Sequence, residues 1–221
     1  TLANNTTGSK NSAFGSGSLN YCITGSNNSA FGFASLYFNT GSYNSSFGSW
    51  TLLNNSSGSQ NSALGYTALY SNTTGSNNSS FGYESLYNNV TGHENSAFGN
   101  QSLYSVTSGW ENCAFGYQSL YTNNGSNNTA IGFKSLYANI TGFGNTAIGY
   151  LALSGNTTGT NNTVIGANTG TTITTGSNNI AIGNLANVPT GSSSNQIRLG
   201  NSSITYAGIQ VAWTVTSDRR L

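Results

Sequence analysis

The chain has 221 residues, of which 29 are Gly, one is Pro and none is Met, and charged side chains make up only 4% of it. Five basic and four acidic residues give a net charge of +1, which leaves no basic surface for phosphates, so nucleic acid and polybasic partners are excluded. At 35% hydrophobic and 12% aromatic the chain is too apolar for a disordered linker, yet its composition is far from that of an ordinary globular core.

No apolar run of about 18 residues is present to span a bilayer, so no membrane insertion is expected. The N-terminus has no charged-then-apolar export pattern; export would depend on a signal outside this chain or on virion release.

The first repeat unit, Gly8 to Gly15, has the form Gly-x-x-Asn-(Ser/Thr)-(Ala/Ser/Val)-(Phe/Ile/Leu)-Gly. Its closing glycine returns at Gly32, Gly48, Gly65, Gly82, Gly99, Gly116, Gly132, Gly149, Gly166 and Gly183, at steps of 17 residues except for two steps of 16. Both single-residue deletions fall between a Leu and the next opening glycine, at 38–41 and 122–125, where a loop absorbs them.

Four residues before each closing glycine stands an Asn, without exception: Asn11, Asn28, Asn44, Asn61, Asn78, Asn95, Asn112, Asn128, Asn145, Asn162 and Asn179. This column reads as a structural ladder, formed either amide to amide or from side chain to backbone. Just before the closing glycine come Phe31, Phe47, Phe81, Phe98, Phe115, Ile131 and Ile148, and four residues after it Leu36, Leu69, Leu86, Leu103, Leu120 and Leu136. These two apolar columns are the expected core. Directly after the Leu comes a Tyr column: Tyr37, Tyr70, Tyr87, Tyr104, Tyr121 and Tyr137. It points to the opposite side of the strand, where it either covers a groove of its own coil or meets another chain.

Helices are excluded by the frequency of Gly, Asn, Ser and Thr. The expected fold is all-β: a parallel β-solenoid, or β-roll, of about eleven 17-residue turns with two short strands per turn, covering residues 1–200. Each turn should rise about 4.8 Å, giving a rod roughly 55 Å long. Two apolar residues per turn make a thin core, so a parallel homotrimer is expected. Open strand edges at both ends would allow end-to-end joining into filaments.

In the last copies, Asn145-Thr-Ala-Ile-Gly149, Asn162-Thr-Val-Ile-Gly166 and Asn179-Ile-Ala-Ile-Gly183 resemble the head repeats of trimeric autotransporter adhesins. That resemblance implies a left-handed coil in a trimer. The 17-residue unit with Leu-Tyr and Asn-Thr-Thr-Gly is also similar to repeats of phage and viral tail fibres. Asn195 to Gly200 is a degenerate twelfth turn, and Ile204 to Val215 reads as an alternating strand, so residues 201–221 form an expected cap. The terminal Thr216-Ser217-Asp218-Arg219 resembles the junction to the intramolecular chaperone domain of endosialidase-type tail spikes. The resemblance makes Ser217, with Asp218 beside it, a self-cleavage junction, but the chain ends before the Lys that assists in that family.

Other chemistry is sparse. Glu84, Glu94, Glu111, Asp218 and His93 are the only acidic residues and the only His, too few for general acid–base catalysis, so no enzyme and no cofactor are expected. Glu94 and Glu111 lie one repeat apart and with His93 form the best candidate for a weak cation site, against the simpler reading of exposed turn residues, and no metal is assigned. Cys22 and Cys113 are about five turns, or roughly 25 Å, apart and cannot join within one chain. Trp50, Trp110, Tyr43, Phe143 and His93 occupy variable turn positions suited to stacking on sugars or to packing. Sequons begin at Asn72, Asn89, Asn139 and Asn156, as they also would by chance in so Asn- and Thr-rich a chain.

Two functions fit this pattern, and a third is weighed against it. The first is a structural fibre segment of a virion or extracellular appendage, located on a virion, at a cell surface or outside the cell. The second is an adhesin that recognises a host-surface glycan, receptor or matrix protein, for which Val90 to Trp110 is the clearest local departure from the repeat. The third, ice binding, requires a flat Thr array, but Thr-x-Thr does not recur at one register.

Overall fold

A computed structural model describes residues 2–205 of the chain. Ser217, Asp218 and all but the first two residues of the tail strand expected from Ile204 to Val215 lie outside the described residues.

The fold is an all-β parallel solenoid. Its strands are β1 (Ser12–Phe14), β2 (Ser29–Phe31), β3 (Ser45–Phe47), β4 (Ser62–Leu64), β5 (Ser79–Phe81), β6 (Ser96–Phe98), β7 (Cys113–Phe115), β8 (Thr129–Ile131), β9 (Thr146–Ile148), β10 (Thr163–Ile165), β11 (Ile180–Ile182) and β12 (Ile197–Leu199). They form one 12-stranded sheet in sequence order, and each strand touches only its neighbours. Like residues sit above like, as in Ser79↔Ser96, Ser80↔Ala97 and Phe81↔Phe98. The two short turns keep this register, with Ala30 above Ser46 and Ala114 above Ala130.

Each turn has one strand, not the two expected. The opposite side, which carries the Leu column, is held by backbone bonds between turns but is not extended. Leu19, Leu36, Leu52, Leu69, Leu86, Leu103, Leu120, Leu136 and Leu153 all have φ between 48° and 53°. Two residues earlier the backbone is left-handed again, as at Thr67 (φ 51°) and Glu84 (φ 52°). This alternation sends successive amides up and down the axis: the Thr67 N–H donates to Ser49 at 3.1 Å in the preceding turn, and the Leu69 N–H to Ser85 at 3.0 Å in the following one. A left-handed Leu costs about 1–2 kcal/mol. Full burial of its side chain returns about 1.5–3 kcal/mol, and the inter-turn bond adds to that. Burial therefore outweighs the strain.

The interior differs from the expected core on its strand side. The Leu column is buried throughout, but Phe31, Phe47, Phe115, Ile131 and Ile148 are exposed on the outer face, and Phe81 and Phe98 are half-buried there. The middle residue of each strand points inward instead: Ala30, Ser46, Ala63, Ser80, Ala97, Ala114, Ala130, Ala147, Val164 and Ala181 are buried. A turn this narrow, already filled by a Leu from the other side, has room for a methyl or hydroxymethyl group but not for a phenyl ring. Where that inward residue is Ser, it is paired: Ser46 Oγ bonds Thr51 Oγ1 at 2.6 Å and Ser35 Oγ at 2.8 Å.

One turn redistributes this volume. Gly170 takes the Leu position, and Val164 and Ile173 replace the usual Ala and polar residue around it. A Cβ at Gly170 would lie 2.9 Å from both Val164 methyls, so the enlarged neighbours occupy the space the Leu gave up. The closing glycines meet a different limit. Gly82 has φ 142°, and a Cβ there would lie 2.7 Å from the Gly99 carbonyl carbon of the next turn. Only a residue without Cβ fits in that stack.

Candidate functional site

The residues that repeat through the coil form ladders, and the candidate site lies where those ladders change. The innermost ladder is the Asn column. Asn28, Asn44, Asn61, Asn78, Asn95, Asn112, Asn128, Asn145 and Asn162 are all buried. Each side chain reaches forward one turn: the Asn61 Oδ1 accepts the Asn78 backbone N–H at 3.0 Å, and the Asn61 Nδ2 donates to the Gly75 carbonyl at 2.9 Å. One amide thus satisfies a donor and an acceptor that a turn of this shape leaves open.

A second Asn column, overlooked in the sequence, runs beside it: Asn39, Asn55, Asn72, Asn89, Asn123, Asn139 and Asn156, all fully buried. Here the bonds run amide to amide, as from Asn72 Nδ2 to Asn55 Oδ1 at 2.6 Å and from Asn89 Nδ2 to Asn72 Oδ1 at 2.8 Å. The column is interrupted by Cys22, Val106 and Ile173. Each interruption orphans the Oδ1 one turn before it, on Asn5, Asn89 and Asn156. The sequon residues Asn72, Asn89, Asn139 and Asn156 all belong to this column. Their amide nitrogens are buried and bonded, so a glycan there is incompatible with the folded coil.

The aromatic columns stack outside. Tyr70, Tyr87, Tyr104, Tyr121 and Tyr137 follow at centroid spacings of 5.1–5.3 Å with rings within 10° of parallel. The Tyr column, with Tyr37 at its start, is half-buried against its own coil. Burial is the main cause that raises the phenol pKa of Tyr87, Tyr104 and Tyr121 above the ordinary value. Trp50 stacks on Tyr70 at 6.3 Å, covering the rung where Leu53 stands in place of a Tyr. On the strand face Phe31 and Phe47 stack at 4.9 Å, and Phe81, Phe98 and Phe115 at 4.7 and 5.0 Å. Between these runs Leu64 leaves an apolar notch of about 200 Å³ bordered by Phe47 and Phe81.

A further column, just after the opening glycine, is a hydroxyl ladder. The Oγ of Ser26, Ser42, Ser59, Ser76, Ser177 and Ser194 accepts the backbone N–H of its counterpart one turn earlier at 2.9–3.0 Å. At three rungs a ring replaces the hydroxyl: His93, Trp110 and Phe143. His93 and Trp110 stack in parallel, 6.0 Å apart and 1° from coplanar orientation. Ser126 lies between Trp110 and Phe143, and its Oγ accepts the Trp110 N–H at 3.1 Å. The N–H groups of Ser76, His93 and Ser126, which would meet a hydroxyl in the next turn, donate to nothing among the described residues. Trp110, Gly125, Ser126, Asn127, Thr141 and Phe143 line an open cleft of about 440 Å³. Glu94 and Glu111 are exposed in the adjoining column, both left-handed at φ 58° and 53°.

Other sequence candidates remain separate. Among the described residues no three His, Cys, Asp or Glu side chains converge on a common point, His93, Glu94 and Glu111 included. Both cysteines are free; Cys22 is buried in an Asn position, where desolvation pushes its thiol pKa up, and Cys113 is half-buried in β7. Gln101 donates to Glu84 at 2.8 Å and Gln118 to Gln101 at 2.7 Å, so Glu84 forms the foot of a polar surface ladder. No helix among the described residues is long and apolar enough to cross a membrane. No family model, curated protein or solved structure matches the chain.

Proposed function

We propose that the chain is a structural, non-enzymatic segment of a fibre on a virion or an extracellular appendage, in which coils pack side by side into a stiff trimeric rod. The observation that carries this reading is the strand-face stripe of Phe, Ile and one Leu from Phe14 to Ile182, exposed in the single chain except at the half-buried Phe81 and Phe98. Such a stripe is long and straight, and an unrelated globular partner would match its repeat poorly. Another copy has the same rise per turn and meets it rung for rung. Counting roughly half of about 200 Å² for each large side chain, the eleven rungs offer on the order of 1,000 Å² per copy, enough for a stable interface. The notch at Leu64 gives a neighbouring ring a place to seat and so favours one register.

Three copies are favoured by the resemblance of Asn145 to Gly183 to trimeric adhesin heads. The outer surface is rich in Asn, Ser and Thr and nearly uncharged, as suits a spacer whose length is its purpose. The test is the mass in solution by light scattering, read together with electron microscopy. A particle of about three times 22.9 kDa and elongated outline is expected. The Phe81→Ser/Phe98→Ser double variant should give monomers that keep their β circular dichroism, because the Leu column is untouched. A wild-type chain that stays monomeric at micromolar concentration overturns the proposal.

A further inference from the structure

We infer that the cleft between Trp110 and Phe143 binds one neutral pyranose ring of a glycan, seated over Ser126 as the missing rung of the ring column. In the stacked columns rings follow one another at about 5–6 Å, as between Tyr104 and Tyr121 at 5.2 Å and, in this column, between His93 and Trp110 at 6.0 Å. Trp110 and Phe143 are two turns apart, a separation of about 9.6 Å at the ordinary rise. One ring between them therefore lies near 5 Å from each, a normal stacking distance.

The chemistry of the cleft selects a sugar over an aromatic side chain. Its walls are rings, Trp110 and Phe143, 40% and 51% exposed. Its floor and rim are polar: Ser126, Asn127 and Thr141 line it, and Glu111 stands beside Trp110 in the next column. The Ser126 N–H, deprived of its usual acceptor by Phe143, is a free donor at that floor. A pyranose presents C–H faces to rings and, around its edge, hydroxyls that both donate and accept. A phenyl group would leave the Asn127 amide, the Thr141 hydroxyl and the Ser126 N–H unused. A neutral sugar is preferred to an acidic one because the exposed Glu111 follows Trp110 directly in the chain and the exposed Glu94 stands one repeat earlier. His93 behind Trp110 fixes the indole plane, an arrangement found at no other rung of this column. The hydroxyl ladder shows that Ser is the residue that satisfies the backbone here, so the three rings give up that bonding.

This inference goes beyond the rod reading and does not depend on oligomeric state, which light scattering reports separately. The test is titration of the full chain with neutral oligosaccharides of glucose, mannose, galactose and N-acetylglucosamine, followed by Trp fluorescence and saturation-transfer NMR. At least one series should bind, and Trp110→Ser and Phe143→Ser should each weaken it tenfold or more. Both substitutions restore the repeat residue, so the fold should survive and circular dichroism should be unchanged. Tyr43→Ser, an exposed ring outside the cleft, should bind like wild type. No binding to any series at millimolar sugar, or binding that persists in both cleft variants, would overturn the assignment.

Discussion

Residues 55–89 and residues 90–144 have the same strands and the same Leu column, yet they treat their ladders differently. In the first stretch the inner amide column runs unbroken through Asn55, Asn72 and Asn89, and the hydroxyl column through Ser59 and Ser76. In the second, Val106 cuts the inner column while His93, Trp110 and Phe143 cut the outer one. The two kinds of interruption have unlike consequences. An orphan inside the coil, the Asn89 Oδ1, has no water to turn to and costs stability. An orphan nearer the surface, the Ser126 N–H, belongs to a half-buried residue that lines an open cleft. The coil thus tolerates variation outside far more cheaply than inside, which is where a repeat protein has room for recognition.

The largest test of that contrast removes what the two stretches share. Leu86→Ala should lose about 2–5 kcal/mol, since it deletes a fully buried side chain while the alanine keeps the strained left-handed backbone. A shift in the urea midpoint measures it, and a loss below 1 kcal/mol would mean that the Leu side of the coil is not a core.

Next comes a reciprocal exchange at the amide column. Asn72→Val should cost about 2 kcal/mol, because it orphans the Asn55 Oδ1 in the intact stretch. Val106→Asn should gain about 1 kcal/mol, because the new amide reaches the unpaired Asn89 Oδ1. Thermal melting of the two variants should move in opposite directions, and movement in the same direction would refute the account of the interruption.

The smallest effect is on pH. Tyr87, Tyr104 and Tyr121 have raised phenol pKa values in the folded chain, mainly through burial. The unfolded chain therefore releases these protons first, at the ordinary value of about 10. Their contribution to stability is complete below about pH 10 and is lost as pH rises through the raised folded values. Melting temperature should fall above pH 10, and Tyr104→Phe should make that fall shallower.

Much of this architecture was legible in the sequence because identical residues at identical spacing must meet in a parallel coil. The period, the Asn28-to-Asn162 ladder and the buried Leu column follow from spacing alone. Three features did not. Size and hydrophobicity alone place the Phe and Ile column in the interior. In a three-residue strand, however, alternation puts Ala97 and Phe98 on opposite faces, and only the width of the coil decides which points in. The second strand was expected because a left-handed backbone ordinarily announces itself with Gly or Asn, and here the residue is Leu. The second Asn column stands seven residues after each closing glycine, but its Asn-Thr-Thr context reads as loop and its exceptions at Cys22, Val106 and Ile173 hide the register. The cleft is half legible: Trp110, Phe143 and His93 stand at variable turn positions in the sequence, but the hydroxyl ladder they interrupt is defined by its hydrogen bonds.

Because every strand touches only the one before and the one after, the molecule works as a ruler written in its gene. Gain or loss of one unit of seventeen codons lengthens or shortens the rod by about 4.8 Å and leaves every other rung where it was. Length can therefore change in fixed increments without redesign of any surface. The cleft between Trp110 and Phe143, confined to a few turns, would move along the axis with its own geometry unchanged.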